Sequence, residues 1–171
     1  MRIVAGEWRG RRLVAPPGRA TRPTADRVRE AWMSIVGAAL VDARVLDLFG
    51  GSGALALEAL SRGAAHADVV EQDARALRTL RTNAEALGAG DRLTVHRAEV
   101  LRFLRDAPPD GWDVAFADPP YRQGLAAQVA ASWLARPFAA VLGVEHEAGA
   151  LLPGSPDTRR YGDTALSFYR T

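Results

Sequence analysis

The chain has 171 residues, a net charge of only +2, 48% hydrophobic residues and no cysteine. This length suits one compact domain that buries about two-thirds of its unfolded surface. The apolar content excludes a disordered chain, and the missing cysteines exclude disulfides and thiolate metal sites. All 22 basic residues are arginine. Eight of them fall within residues 1–40 against Glu7, Asp26 and Glu30, while residues 41–171 are slightly acidic. His66, His96 and His146 show no ligand spacing, so no metal is expected. No apolar run approaches the ~20 residues a spanning helix needs, and no leader pattern is visible. The expected location is the cytoplasm, with no membrane partner.

Taken in chain order, residues 2–15 alternate loosely around Gly6 and Gly10 and predict a β-hairpin. Pro16-Pro17-Gly18 breaks it, so residues 1–20 are expected as a basic arm and 21–171 as a single globular unit. Thr24 is the expected N-cap of a helix over 25–38, with Val28, Trp32, Ile35 and Val36 on its buried side. An apolar run predicts a first strand over 44–48, followed by a helix over 52–62. A second strand is expected over 67–71 and a second helix over 74–87, with Leu77, Leu80 and Leu87 inward. A third strand spans 92–96, and Glu99 opens a short helix carrying Leu101, Phe103 and Leu104. A fourth strand follows over 113–117, a helix over 123–135 and a fifth strand over 139–145. The segment 159–170 reads as two strands joined at Gly162-Asp163. Alternating units of this kind predict an α/β fold with a doubly wound sheet.

Two motifs carry chemistry. The first strand ends in Asp47-Leu48-Phe49-Gly50-Gly51-Ser52-Gly53, a glycine turn leading into a helix. Such a turn lets a ligand approach the backbone, and the helix start offers unpaired N–H groups. Glu71 ends the second strand 24 residues after Asp47, where an acid commonly accepts ribose hydroxyls; the bland alternative is a solvated acid. The fourth strand runs into Asp118-Pro119-Pro120-Tyr121. The prolines have no N–H, so carbonyls here are not consumed by continued sheet pairing. A carboxylate, a carbonyl and a ring together suit a planar group that bears an exocyclic amine.

In order and spacing, the Asp47 turn, Glu71 and the Asp118-Pro119-Pro120-Tyr121 loop resemble the AdoMet-dependent amino-methyltransferases. Arg2-Ile3-Val4-Ala5-Gly6-Glu7-Trp8-Arg9-Gly10-Arg11 and Arg22-Pro23-Thr24-Ala25-Asp26-Arg27-Val28-Arg29-Glu30 narrow this. They resemble the bacterial 16S ribosomal RNA guanine-N2 methyltransferases of the RsmD type, over essentially the whole chain. The resemblance implies a Rossmann-like AdoMet-methyltransferase fold: a seven-stranded, mostly parallel sheet with helices on both faces. It implies S-adenosyl-L-methionine as cofactor, S-adenosyl-L-homocysteine as product and 16S rRNA as partner, alone or within an assembling small subunit, with the protein acting as a monomer. In it, Asp47, Phe49, Gly50, Gly51 and Gly53 hold the methionine moiety, and Glu71 holds the ribose. Glu99 reaches the adenine, and Gln72 and Ala98 also belong to the cofactor site. The family usually has Asp at the place of Glu99, and a helix cap is the competing role for this residue. Asp118, Pro119, Pro120 and Tyr121 are the expected catalytic loop.

Trp8, Arg9, Arg11, Arg12, Arg22 and Thr24 are the expected RNA-binding set. Trp8 has two readings, a ring stacked on a base or a staple of the hairpin. Because adenine-N6 enzymes share the Asp-Pro-Pro-Tyr loop, the loop specifies the chemistry and not the base. Adenine-N6 methylation and a non-catalytic RNA-binding module therefore stay open at this point. A dinucleotide oxidoreductase would explain neither the loop nor the basic arm.

Overall fold

The computed structural model describes residues 1–15, 23–121 and 124–171, with the side chains of 23–25 excepted. The elements are α1 (Pro23–Val36), a 3-10 turn (Gly37–Leu40), β1 (Arg44–Leu48), α2 (Ala54–Ser61), β2 (His66–Val70), α3 (Ala74–Leu87) and β3 (Leu93–His96). They continue with α4 (Val100–Asp106), β4 (Trp112–Ala117), α5 (Leu125–Ala135), β5 (Ala139–Glu147), β6 (Asp157–Tyr161) and β7 (Thr164–Arg170). Boundaries differ from the sequence expectation by a few residues at most. Helix α1 begins at Pro23, where a missing N–H costs nothing, so Thr24 falls inside the first turn and not before it. Arg22 and the Pro16-Pro17-Gly18 break lie outside the described residues.

All seven strands form one sheet in the order β3-β2-β1-β4-β5-β7-β6. Strands β1 to β5 pair in parallel, and β7 is antiparallel to both β5 and β6. The central strands β1, β2 and β4 are buried along nearly their whole length, as strands covered on both faces are. One apolar layer joins α1, α2 and α3 to Val45, Val69, Val114, Phe116 and Phe168. Trp32 of α1 meets Phe116 edge-on there, with ring centroids 5.6 Å apart. The opposite layer packs α4 and α5 on Leu46, Leu48, Ala115 and Leu142.

The N-terminal segment forms the expected hairpin arm and packs onto the helical layer. Its strands pair through one antiparallel bridge, Arg2 with Arg12, supported by the hydrogen bonds Ile3 N–H to Arg11 and Gly10 N–H to Ile3. Far from standing clear of the core, it supplies Ile3, Trp8 and Leu13 to the helical layer. Helix α2 holds it with a fully buried carboxylate: Glu58 accepts from Val4 N–H at 2.8 Å, Ala5 N–H at 3.1 Å and Arg62 Nε at 2.8 Å. A buried charge is tolerated only when so paired. Ser61 adds a second fastening, accepting from Trp8 N–H at 2.9 Å and donating to the Ala5 carbonyl.

Candidate active site

Strand register gathers the predicted acids at one end of the sheet. Asp47 pairs with Val69 and with Phe116, and Leu48 with Val70 and with Ala117. The residues that follow, the glycine turn after β1, Glu71 after β2 and Asp118 after β4, therefore emerge side by side. This is the carboxyl edge at which open α/β sheets bind ligands.

The turn is built under constraint. Phe49 has φ 67°, Gly51 φ 55° and Gly53 φ 82°, so the chain passes repeatedly through the left-handed region. Phe49 is the uncommon case, since non-glycine residues rarely adopt it. A Cβ on Gly50 would lie 2.0 Å from the Val69 side chain, so this glycine is required by packing against the sheet. Two polar contacts then fix the turn. Gly51 N–H donates to Glu71 Oε2 at 2.9 Å, and the Ser52 carbonyl accepts from Asn83 Nδ2 at 3.0 Å.

Asp47 is 1% exposed, and its Oδ2 accepts the Ala56 N–H at 3.2 Å. Its Oδ1 is buried without a partner among the described residues. Burial pushes the Asp47 carboxyl up to about 8, against the Ala56 hydrogen bond, and the nearby charges of Asp118 and Glu71 push in the same direction. A buried acceptor of this kind costs free energy until a donor reaches it. An aminoacyl ammonium such as that of AdoMet is a donor whose positive charge would favour the ionised form of Asp47, so the residues present fit that cofactor.

Glu71 lies at the mouth of the turn with its carboxylate already oriented, Oε1 accepting the Asp73 N–H at 2.8 Å. Gln72 beside it is exposed, and Ala98 is half-buried after β3. Glu99 is the cap of α4: its oxygens accept from Leu101 N–H at 2.9 Å and Arg102 N–H at 2.8 Å. The capping role is thus the one observed, and it turns both oxygens back onto the helix.

In the Asp118 loop, Pro119 is buried, Asp118 half-buried and Pro120 exposed. Tyr121 is 50% exposed, yet its hydroxyl is tethered. It donates to Glu145 Oε1 at 3.2 Å and pairs with Thr164 Oγ1 at 2.8 Å. Partial burial pushes this phenol up to about 12; the Thr164 hydrogen bond opposes the rise, and Glu145 and Asp118 add to it. The ring therefore stays neutral and is held by β5 and β7. Glu145 carries the same sequence signal as Asp47, Glu71 and Asp118, an acid near the carboxyl end of an apolar strand, but has no motif beside it.

The arm behaves differently from one half of its expectation. Trp8 is 6% exposed, its indole packed in the core with the Arg92 guanidinium 4.7 Å from the ring centroid. It staples the arm and is not offered to a base. Arg9 and Arg12 are exposed, and Arg11 donates to the Ala86 carbonyl at the end of α3. Among the described residues, no group of three or more His, Asp or Glu side chains could hold a metal ion, and no helix is long and apolar enough to cross a membrane.

A family profile described as Conserved hypothetical protein 95 matches residues 1–170. The chain belongs to this family. The family resemblance read from the sequence, to the RsmD-type methyltransferases, agrees with the relatives found. Ribosomal RNA small subunit methyltransferase D of Escherichia coli is 42% identical over 125 residues, a match covering 73% of this chain and 62% of that protein. Its counterpart in Haemophilus influenzae is 36% identical over 130 residues, covering 75% and 67%. The solved structure of the Escherichia coli protein yhhF is 36% identical with a TM-score of 0.85, covering 99% of this chain and 97% of that one. The family fold is that of the AdoMet-dependent methyltransferases. At 20% identity and a TM-score of 0.66, the 16S rRNA N2 methyltransferase RsmC of Thermus thermophilus, solved with AdoMet and guanosine, shares the fold.

Proposed function

We propose that this protein transfers a methyl group from AdoMet to the exocyclic N2 amine of a guanine in 16S ribosomal RNA. The observation that carries the reading is the placement of the Asp118-Pro119-Pro120-Tyr121 loop beside the glycine turn, at the ends of paired strands β4 and β1. A methyl donor on one side and an amine acceptor on the other need that adjacency. The names of the relatives supply the RNA substrate and the small subunit.

When bound, AdoMet supplies a methyl group activated by its sulfonium. Asp47 and the turn from Phe49 to Gly53 would hold its aminoacyl end, Glu71 its ribose, and Gln72, Ala98 and the Glu99 cap would border the rest. The guanine amine is a weak nucleophile because its lone pair is delocalised into the ring. Accepting its N–H groups at the Asp118 carboxylate and the Pro119 carbonyl directs that lone pair toward the methyl. As the N–C bond forms and the methyl–sulfur bond breaks to leave neutral S-adenosylhomocysteine, the amine would become acidic and release its proton to Asp118 or water. The tethered Tyr121 ring stacks on the base. Catalysis then rests on positioning and electrostatics, without a tuned acid–base pair. The base must be looped out or flipped, at a cost of a few kcal/mol. Arg9, Arg11, Arg12 and the segment containing Arg22 and Thr24 would engage the RNA backbone.

The test is transfer of tritium from labelled AdoMet to 16S rRNA, naked and within assembling subunits. Label on either RNA supports the reading; label on neither removes it.

A further inference from the structure

Asn83 sits on the apolar face of α3, in line with Leu80, Ala84 and Leu87, and is 1% exposed. Its oxygen accepts the Val14 N–H at 2.7 Å, and its nitrogen donates to the Val14 carbonyl at 3.0 Å and to the Ser52 carbonyl at 3.0 Å. One side-chain amide thus uses both of its donors and an acceptor position. These partners fix its orientation, because an N–H requires the oxygen and two carbonyls require the nitrogen. Val14 belongs to the N-terminal arm, and Ser52 belongs to the glycine turn. Val14 is 55% exposed, so burial does not hold position 14. The Asn83 clamp on its backbone does.

We infer that Asn83 is a positioning residue that couples the N-terminal arm to the glycine turn, so that a perturbation of the arm is felt as a loss of cofactor affinity. The inference rests on the proposed cofactor site at that turn. Such coupling is reciprocal: RNA that braces the arm would favour the cofactor, and cofactor at the turn would brace the arm.

Val14→Pro removes the N–H that Asn83 accepts and leaves the turn and Asn83 in place, whereas Val14→Ala changes only the exposed side chain. S-adenosylhomocysteine is titrated calorimetrically into the wild type, these two variants, Asn83→Ala and the double variant Val14→Pro/Asn83→Ala. Each titration is made well below the melting temperature of its protein. Loss of a hydrogen bond of this class predicts a Kd raised about three- to tenfold by Val14→Pro. Val14→Ala should bind like the wild type, and Val14→Pro should add nothing on top of Asn83→Ala. Lowered melting temperatures with level Kd values, or fully additive effects, would overturn the coupling. Should Val14→Pro fail to fold, Asn83→Asp decides. It keeps an oxygen for Val14 N–H but loses both donors, so its Kd should rise, and an unchanged Kd overturns the inference. A wild type that binds no S-adenosylhomocysteine removes the cofactor reading itself, and this coupling with it.

Discussion

Glu71 and Gly51 are joined by a hydrogen bond of 2.9 Å from the glycine N–H to Oε2, while Oε1 accepts the Asp73 N–H. One carboxylate therefore ties the turn after β1 to the start of α3. Asp73 caps that helix, accepting from Arg75 N–H and Ala76 N–H. The acid that follows β2 is a structural support of the turn as well as the expected ribose acceptor, because a carboxylate has lone pairs to spare beyond those two bonds.

Replacing Glu71 by Ala should weaken AdoMet binding with little loss of maximal rate at saturating cofactor. A lost charge-assisted hydrogen bond is worth about 1.5–3 kcal/mol, or about ten- to 150-fold in Kd. Calorimetric titration checks this, and an unchanged Kd would show that neither a ribose contact nor the support Glu71 gives the turn bears on cofactor binding.

If the Asp118 loop receives the acceptor amine as proposed, Asp118→Ala should abolish methyl transfer and leave cofactor affinity nearly intact. Single-turnover rates beside cofactor titrations separate the two effects. Turnover surviving within a factor of a few would make Asp118 structural.

Tyr121 allows its ring and its tether to be separated. Tyr121→Ala removes a stacking surface worth about 1–3 kcal/mol per base. Tyr121→Phe keeps the ring and loses only the bond to Thr164, worth about 0.5–1.5 kcal/mol, and that to the Glu145 carboxylate, worth about 1.5–3 kcal/mol. The order of kcat/KM for RNA should therefore be wild type, then Phe, then Ala, with AdoMet affinity level throughout. Equal losses in both variants would mean that the hydroxyl, and not the ring, carries the effect.

The Asp47 carboxyl gives a pH signature. Its pKa in the folded protein is raised from 3.8 to about 8, so the native state holds a proton that the unfolded chain releases. The stability it contributes is fully present below about pH 4 and is lost as pH rises toward 8, with a slope of at most about 1.4 kcal/mol per pH unit. Urea unfolding of the wild type relative to Asp47→Asn, followed from pH 5 to 9, should show that decline and then a plateau. A difference that stays flat with pH would show Asp47 ionised in the ligand-free fold.

Much of this was legible in the sequence because each strand announces itself locally. The apolar runs at 44–48 and 113–117, the heptad-like leucines of α3 and the glycine turn are short-range signals that tertiary packing left unchanged. Trp8, Asn83 and Glu58 were harder to read because their roles are long-range. An aromatic residue among arginines looks exposed until the arm folds back onto α2. Asn83 did carry a signal, a polar residue on the apolar face of an amphipathic helix, and a buried polar group is the informative kind. Glu145 followed the strand-end rule but had no neighbouring motif to draw attention to it.

Nucleoside analysis tests most directly the proposal that the protein methylates guanine N2 and that the Asp118 loop carries the transfer. 16S rRNA is reacted with AdoMet and either wild type or Asp118→Ala, digested, and its methylated nucleosides are identified by mass and retention. The account predicts N2-methylguanosine with the wild type and none with the variant. N6-methyladenosine from the wild type, or N2-methylguanosine formed equally well by Asp118→Ala, would contradict it.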